Sequence, residues 1–280
     1  MRRMVTYPVR KWLAIFTLLC AVSPHRAEAG ASRWEETDGA RLRIVAERAQ
    51  PGQETLRGIL QIELEPGWKT YWREPGSAGI PPMVSVQNEA IAGVTIHYPA
   101  PEWTDDPYGS WAGYKHPVSL PLTFAVAGDE TPEAFDADVF LGICRDVCVP
   151  VGVQFEVPVS ESRSNTMQAL LIDTAFSALP GENSDRLSVD SAEWTADGDL
   201  EVTLKHSISA EAEPSLFIAA GADRPFKKPE RVSGSATGTV FRVEPAFDPA
   251  EAGDLDLIIA ARNGIDAVEI AIEVPAPPAI

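Results

Sequence analysis

Apolar and polar residues alternate most clearly in short segments between residues 32 and 160, namely 40–46, 56–64, 95–98 and 118–126. The same period-two pattern holds on both sides of residues 144–148, in Val139, Leu141 and Ile143 before and Val151, Val153, Phe155 and Val157 after. Period two places successive side chains on opposite faces of a strand. Many such segments separated by Gly- and Pro-rich turns predict a β-sandwich. Residues 161–181 break the pattern. Ser164 or Asn165 can cap a helix carrying Met167, Leu170, Leu171, Ala175, Phe176 and Leu179 on its apolar face, stopped by Pro180-Gly181. That helix is expected to connect two units and to rest on one or both. Strand patterns then return at 200–204, 216–219 and 239–243. A closing hairpin runs from 255–261 to 267–274 around Asn263-Gly264, a strong turn signal. The expectation is an all-β chain: one β-sandwich at 30–160, a linker helix at 161–181 and a second sandwich at 182–280.

Residues 1–29 are expected to lie outside this fold. Arg2, Arg3, Arg10 and Lys11 precede an apolar run from Trp12 to Val22, and Ala27-Glu28-Ala29 offers a cleavage site before Gly30. These are the marks of a secretory signal peptide. Leu19 before Cys20 argues against a lipoprotein anchor, because that signal wants a small residue there. No later stretch is long and apolar enough for a membrane helix, so an exported protein without membrane insertion is expected. Losing this segment removes five basic residues (Arg2, Arg3, Arg10, Lys11, Arg26) and one acid (Glu28), taking the net charge from −18 to −22. So acidic a surface repels nucleic acid and anionic lipid.

The mature chain then holds two cysteines, Cys144 and Cys148. Fully extended, their Cα atoms would stand roughly 13 Å apart, beyond disulfide reach. A bond requires a fold-back, with Arg145-Asp146 as the turn centre, so the pattern predicts a hairpin with a dithiol at its tip. Arg145 favours a thiolate and Asp146 opposes it. From spacing alone the pair is a redox dithiol, a structural disulfide or two metal ligands.

Of ten Trp and Tyr residues after position 29, eight lie between Trp68 and Tyr114. Two sandwich cores would spread them more evenly. Residues 67–82 read as a strand end running into an ordered Gly/Pro loop, and residues 99–109 read as a second loop of the same kind. Trp72 and Tyr114 are the candidates for rings that shield the dithiol or dock a partner. Asp105-Asp106 reads as a turn. The second unit has one histidine, His206, and no chemistry of its own.

The run G-W-K-T-Y-W-R-E-P-G-S-A-G-I-P-P at 67–82 resembles the N-terminal periplasmic domain of DsbD-like and ScsB-like thiol:disulfide interchange proteins. So do Y-P-A-P at 98–101, G-Y at 113–114 with V-S-L-P-L at 118–122, and C-R-D-V-C-V-P at 144–150. The resemblance implies immunoglobulin-like sandwiches and a Cys144/Cys148 pair that takes electrons from one partner and passes them to periplasmic oxidised proteins. In full-length relatives a membrane electron-transfer segment and a thioredoxin-like domain follow. This chain reaches Ile280 without either, so thioredoxin-like periplasmic proteins and a separate membrane electron-transfer protein are the expected partners, with no cofactor. The rival readings are a binding module with a structural disulfide and a copper-binding, copper-tolerance protein. For the last, His97 and His116 are the nearby imidazoles, and neither has ligand spacing to the cysteines.

Overall fold

A computed structural model describes residues 30–76, 79–107, 109–127, 132–159, 166–207 and 213–277. The signal-peptide expectation for 1–29 lies outside the described residues. Strands β1 (Glu35–Thr37), β2 (Ala40–Ala46), β3 (Thr55–Leu64), β4 (Thr70–Gly76), β5 (Met83–Gln87), β6 (Ile91–Ile96), β7 (Glu102–Asp106), β8 (Gly109–Tyr114), β9 (Val118–Val126), β10 (Ala134–Cys144) and β11 (Cys148–Pro158) precede helix α1 (Thr166–Ser177). After it come β12 (Leu187–Trp194), β13 (Leu200–His206), β14 (Ser215–Ala219), β15 (Glu230–Gly234), β16 (Gly238–Val243), the short α2 (Pro249–Ala252), β17 (Leu255–Asn263) and β18 (Asp266–Val274). The protein is an all-β, immunoglobulin-like sandwich architecture.

In the first half, a five-stranded sheet ordered β1-β2-β3-β9-β6 faces a three-stranded sheet ordered β11-β10-β5. The period-two residues of β10, Phe135, Ala137, Val139, Leu141 and Ile143, all turn into the core, where they meet Leu42, Ile44, Leu60, Ile62, Leu120, Leu122 and Phe124. A further small sheet, β4-β8-β7, was not legible as such in the sequence. Residues 99–109, expected as a loop, contain β7 and the turn into β8. In the second half, β12-β13-β16-β15 and β14-β17-β18 enclose a separate core of Leu200, Val202, Leu204, Leu216, Ile259 and their neighbours. The closing hairpin pairs Asn263 with Asp266, so its two-residue loop is Gly264-Ile265, one position later than expected. Gly264 supplies the positive φ of 64° that this first loop position demands.

Helix α1 forms where expected but turns differently. Ile172 and Ala175 are its buried apolar residues, set on Ala31, Val45 and Ile59, the outer face of β2 and β3. Met167 and Leu170 are 62% and 58% exposed. The helix is apolar around most of its circumference, so periodicity cannot orient it. Arg57 anchors it through an ion pair with Asp173 at 2.9 Å. It rests on the first sandwich.

The two halves are joined by aromatic rings. Phe217 of β14 is fully buried and belongs to the first core together with Ala219 and Ala260. It meets Trp72 edge-on at 5.9 Å and stacks on Trp103 at 5.5 Å with 10° between the planes. Trp103 Nε1 donates to the Leu216 carbonyl at 2.8 Å. Ion pairs Arg73–Glu269 (3.0 Å) and Lys228–Asp105 (2.8 Å) flank the stack. Two of the eight Trp and Tyr residues between Trp68 and Tyr114, Trp72 and Trp103, serve this joint.

Candidate functional site

Strands β10 and β11 pair along their whole length and end with Cys144 directly opposite Cys148. Opposed residues at a hairpin end lie close enough to bond. The two cysteines form a disulfide with Cα atoms 4.1 Å apart. Arg145, Asp146 and Val147 make the three-residue loop, in which Arg145 N–H donates to the Val147 carbonyl at 3.3 Å. The sulfurs are not equivalent in access. Cys144 is 1% exposed, whereas Cys148 belongs to the exposed tip, where Val147 stands 73% exposed.

The small sheet buries Cys144. Lys69 and Cys144 exchange two backbone hydrogen bonds at 2.8 and 3.0 Å, and the Thr70 hydroxyl donates to the Gly142 carbonyl at 3.0 Å. This registry carries Tyr71 over the bond. Its ring passes close to Gly79 and Gly142, where an added Cβ would lie 2.8 and 3.3 Å from ring carbons. A side chain at Gly79 would clash, so glycine there makes room for the ring. Tyr71 Oη then reaches both sulfurs at 3.0 Å. Trp111 stands edge-on to Tyr71 at 5.8 Å and 80°. Tyr71, Trp111 and Cys144 form an apolar cluster of their own.

A cleft of about 220 Å³ opens on the disulfide, lined in part by Lys69, Tyr71, Asp106, Trp111, Val147 and Cys148. Lys69 Nζ binds Asp106 at 2.5 Å and lies 4.3 Å from the Trp111 ring centre. Asp106 also accepts from Trp111 Nε1 at 3.0 Å. The acidic pair, expected as a turn, ends strand β7 instead: Asp106 braces the cleft wall, and Asp105 holds Lys228 of the second half. Burial, aided by the negative charge of Asp106, pushes the Tyr71 phenol up to about 12. Tyr71 is thus a neutral hydrogen-bond donor throughout the physiological range.

Cys144 and Cys148 are brought together, but Trp72 and Tyr114, offered from the sequence as shielding rings, do not line the cleft. Both belong to the main core, with the Tyr114 hydroxyl donating to the Pro99 carbonyl at 2.8 Å. Adjacent residues of an extended strand face opposite ways, so Tyr71 takes the disulfide side and Trp72 faces Phe217. Trp111 and Tyr71 cover the sulfurs instead. His97 Nε2 is engaged with Thr123 Oγ1 at 2.9 Å, and His116 is exposed; neither lines the cleft. Among the described residues no group of three His, Cys, Asp or Glu side chains is placed to hold a metal ion.

Glu74, in the irregular part of β4, is 8% exposed, and burial lifts its carboxyl from 4.5 to about 7. Between those values the folded chain holds a proton that the unfolded chain releases, so stability falls as pH rises through that window. Glu74→Gln removes this dependence and is expected to stabilise the protein by on the order of 1–3 kcal/mol at pH 8 relative to pH 4.5. Denaturant midpoints of both proteins at the two pH values check it. Parallel shifts in the two proteins would contradict the assignment.

No curated protein matches the chain at a significant level. Among solved structures, the N-terminal periplasmic domain of ScsB from Proteus mirabilis superposes with a TM-score of 0.73 at 17% identity, covering 89% of this chain and all of that one. A conserved domain protein from Bacillus anthracis reaches a TM-score of only 0.25 at 9% identity, covering 87% of this chain and 89% of its own, which is too distant to inform the fold. The family model described as "Thiol:disulfide interchange protein DsbD, N-terminal" matches residues 43–160, the segment that contains β4, β8 and the whole cysteine hairpin. Over residues 43–160 this chain is similar to the DsbD N-terminal family, and over most of its length it shares the fold of the ScsB N-terminal periplasmic domain.

Proposed function

We propose that the Cys144–Cys148 disulfide is exchangeable and passes electrons between thiol proteins. The observation that carries this reading is the asymmetry of the bond: an exposed Cys148 joined to a buried Cys144 beneath the Tyr71 hydroxyl. A staple that closes so short a loop contributes only about 2 kcal/mol on the chain-entropy model, which is a weak reason for such a built site. In the exchange, a partner thiolate attacks Cys148 Sγ along the sulfur–sulfur axis. The Cys144–Cys148 bond breaks, and Cys144 leaves as a thiolate that accepts a hydrogen bond from Tyr71 Oη. A second partner thiolate then attacks the partner sulfur of the mixed disulfide and releases Cys148. Two electrons reach the pair, and the partner keeps a disulfide. The reverse sequence reduces an oxidised partner.

The family match supports thioredoxin-like proteins as partners, with a membrane electron-transfer partner as electron source. It also supports a periplasmic location, and the basic and apolar run of residues 1–29 is assigned as the cleaved export signal. We further assign exchange to the unit at 30–160 and a supporting role to 182–280. The purified protein is expected to carry no free thiol and to yield two on treatment with a reduced thioredoxin-like dithiol, as read by alkylation and mass. Two free thiols before any reduction would overturn the reading.

A further inference from the structure

We propose that the second sandwich is a positioning device for the disulfide, with Phe217 acting through Trp72 and Trp103 on the small sheet that carries Tyr71 and Trp111. The inference rests on the exchange reading and gives the second half of the chain a part in it.

The small sheet cannot hold its own shape firmly. β4 pairs with β8 at Thr70–Tyr114 and Tyr71–Gly113, and then not again until Gly76–Trp111. Residues 72–75 bulge out of the ladder. A strand so interrupted is held by what packs against it rather than by backbone pairing. Its start is tied to β10 by the Lys69–Cys144 and Thr70–Gly142 hydrogen bonds. Across the bulge it meets the second sandwich: Trp72 packs on Phe217, and Arg73 pairs with Glu269. β7 repeats the division. Trp103 stacks on Phe217 and donates to Leu216, and Asp105 pairs with Lys228, while Asp106 turns to Lys69 and Trp111 at the cleft. In both strands, neighbouring residues serve the joint and the site in turn. A shift of either strand at the joint must therefore move Tyr71 or Asp106. Close-packed rings transmit such a shift because they tolerate no gap.

Phe217 touches neither sulfur, so its effect must appear in the chemistry of Cys144. In the full-length mature protein, Phe217→Ala is expected to slow reduction of the disulfide by dithiothreitol about three- to tenfold. It should also raise the apparent pKa of the Cys144 thiol in the reduced protein, followed by thiolate ultraviolet absorbance. Phe226→Ala is the matched control. Phe226 is 4% exposed in the second core and lies against Trp194 and Phe247, so it costs comparable packing without touching the joint. Trp103→Phe, a milder change at the joint, must move both readouts in the same direction and serves if Phe217→Ala does not fold. Joint variants that match Phe226→Ala in rate and thiol titration overturn the proposal. Dithiothreitol reduces any accessible disulfide, so this outcome is separate from the exchange reading, which is tested on the unaltered protein with thioredoxin-like dithiols.

Discussion

Cys148→Ser is expected to abolish disulfide exchange and Cys144→Ser to trap the partner, with little harm to the fold in either case. The asymmetry of exposure dictates the difference. In Cys144→Ser the remaining thiol sits at the open hairpin tip beside Val147. It can attack a partner disulfide, but no second thiol on this chain carries the exchange forward. The mixed product therefore accumulates when the partner's own second cysteine is replaced by serine and its remaining cysteine is supplied as a disulfide with a small thiol. In Cys148→Ser the remaining cysteine is 1% exposed beneath Tyr71, so a partner sulfur is expected to be kept from it. Non-reducing gels with a single-cysteine thioredoxin-like partner, activated as a mixed disulfide with a small thiol, should show the mixed species for the first variant and none for the second. The reverse pattern would mean that Cys144 is the reacting sulfur. The Cys144→Ser, Cys148→Ser double variant should lose no more than about 2 kcal/mol, because the loop closed by the bond is short. The eleven-pair ladder of β10 and β11 persists without the bond. Unfolding of the double variant at room temperature would make the disulfide a staple.

Tyr71→Phe is expected to slow reduction about tenfold, the size of one hydrogen bond to a developing charge. The ring is kept, so Gly79, Gly142 and Trp111 retain their neighbour, and only the donor to the two sulfurs is lost. Without it the departing Cys144 thiolate is a poorer leaving group. The ratio of the two rates should stay constant from pH 6 to pH 9, since burial keeps the phenol protonated until about pH 12. The raised value has a stability consequence as well. Above pH 10 the unfolded chain loses the phenolic proton first, so this residue's contribution to stability declines between pH 10 and about 12. Tyr71→Ala is a poor substitute, because a buried aromatic cut to alanine costs about 3–5 kcal/mol through the cavity it leaves. Stopped-flow reduction of the Phe variant measures the effect. Equal rates in the two proteins would leave Tyr71 as cover alone.

What the sequence discloses here follows the physics of each element. β9 is readable to the residue, because Val118 to Val126 alternate beside a buried core. The cysteine hairpin is readable because both flanks keep period two up to the sulfurs. β7 is not, since Pro99, Pro101 and Pro107 flank its five residues and make the stretch read as a loop, although an edge strand tolerates such neighbours. The aromatic excess is visible in the sequence, but its division between site and joint is not. Tyr71 and Trp72 are neighbours of equal apolar appeal, and which of them meets the disulfide depends on the Lys69–Cys144 registry, a contact across 75 positions. Lys69 in the K-T-Y run was the available signal: once it pairs with Cys144, the residue two along shares its side of the strand. The burial of one sulfur and exposure of the other comes only from the small sheet.

The central claim, that this bond exchanges rather than staples, is tested most directly by its reduction potential. Equilibration of the mature protein with glutathione buffers, quenched by acid and read by mass after alkylation, gives the value in one experiment. An exchangeable Cys144–Cys148 pair gives a single two-electron transition above about −300 mV. A potential below about −300 mV, with the disulfide intact in every glutathione buffer, would make the bond structural and contradict the claim.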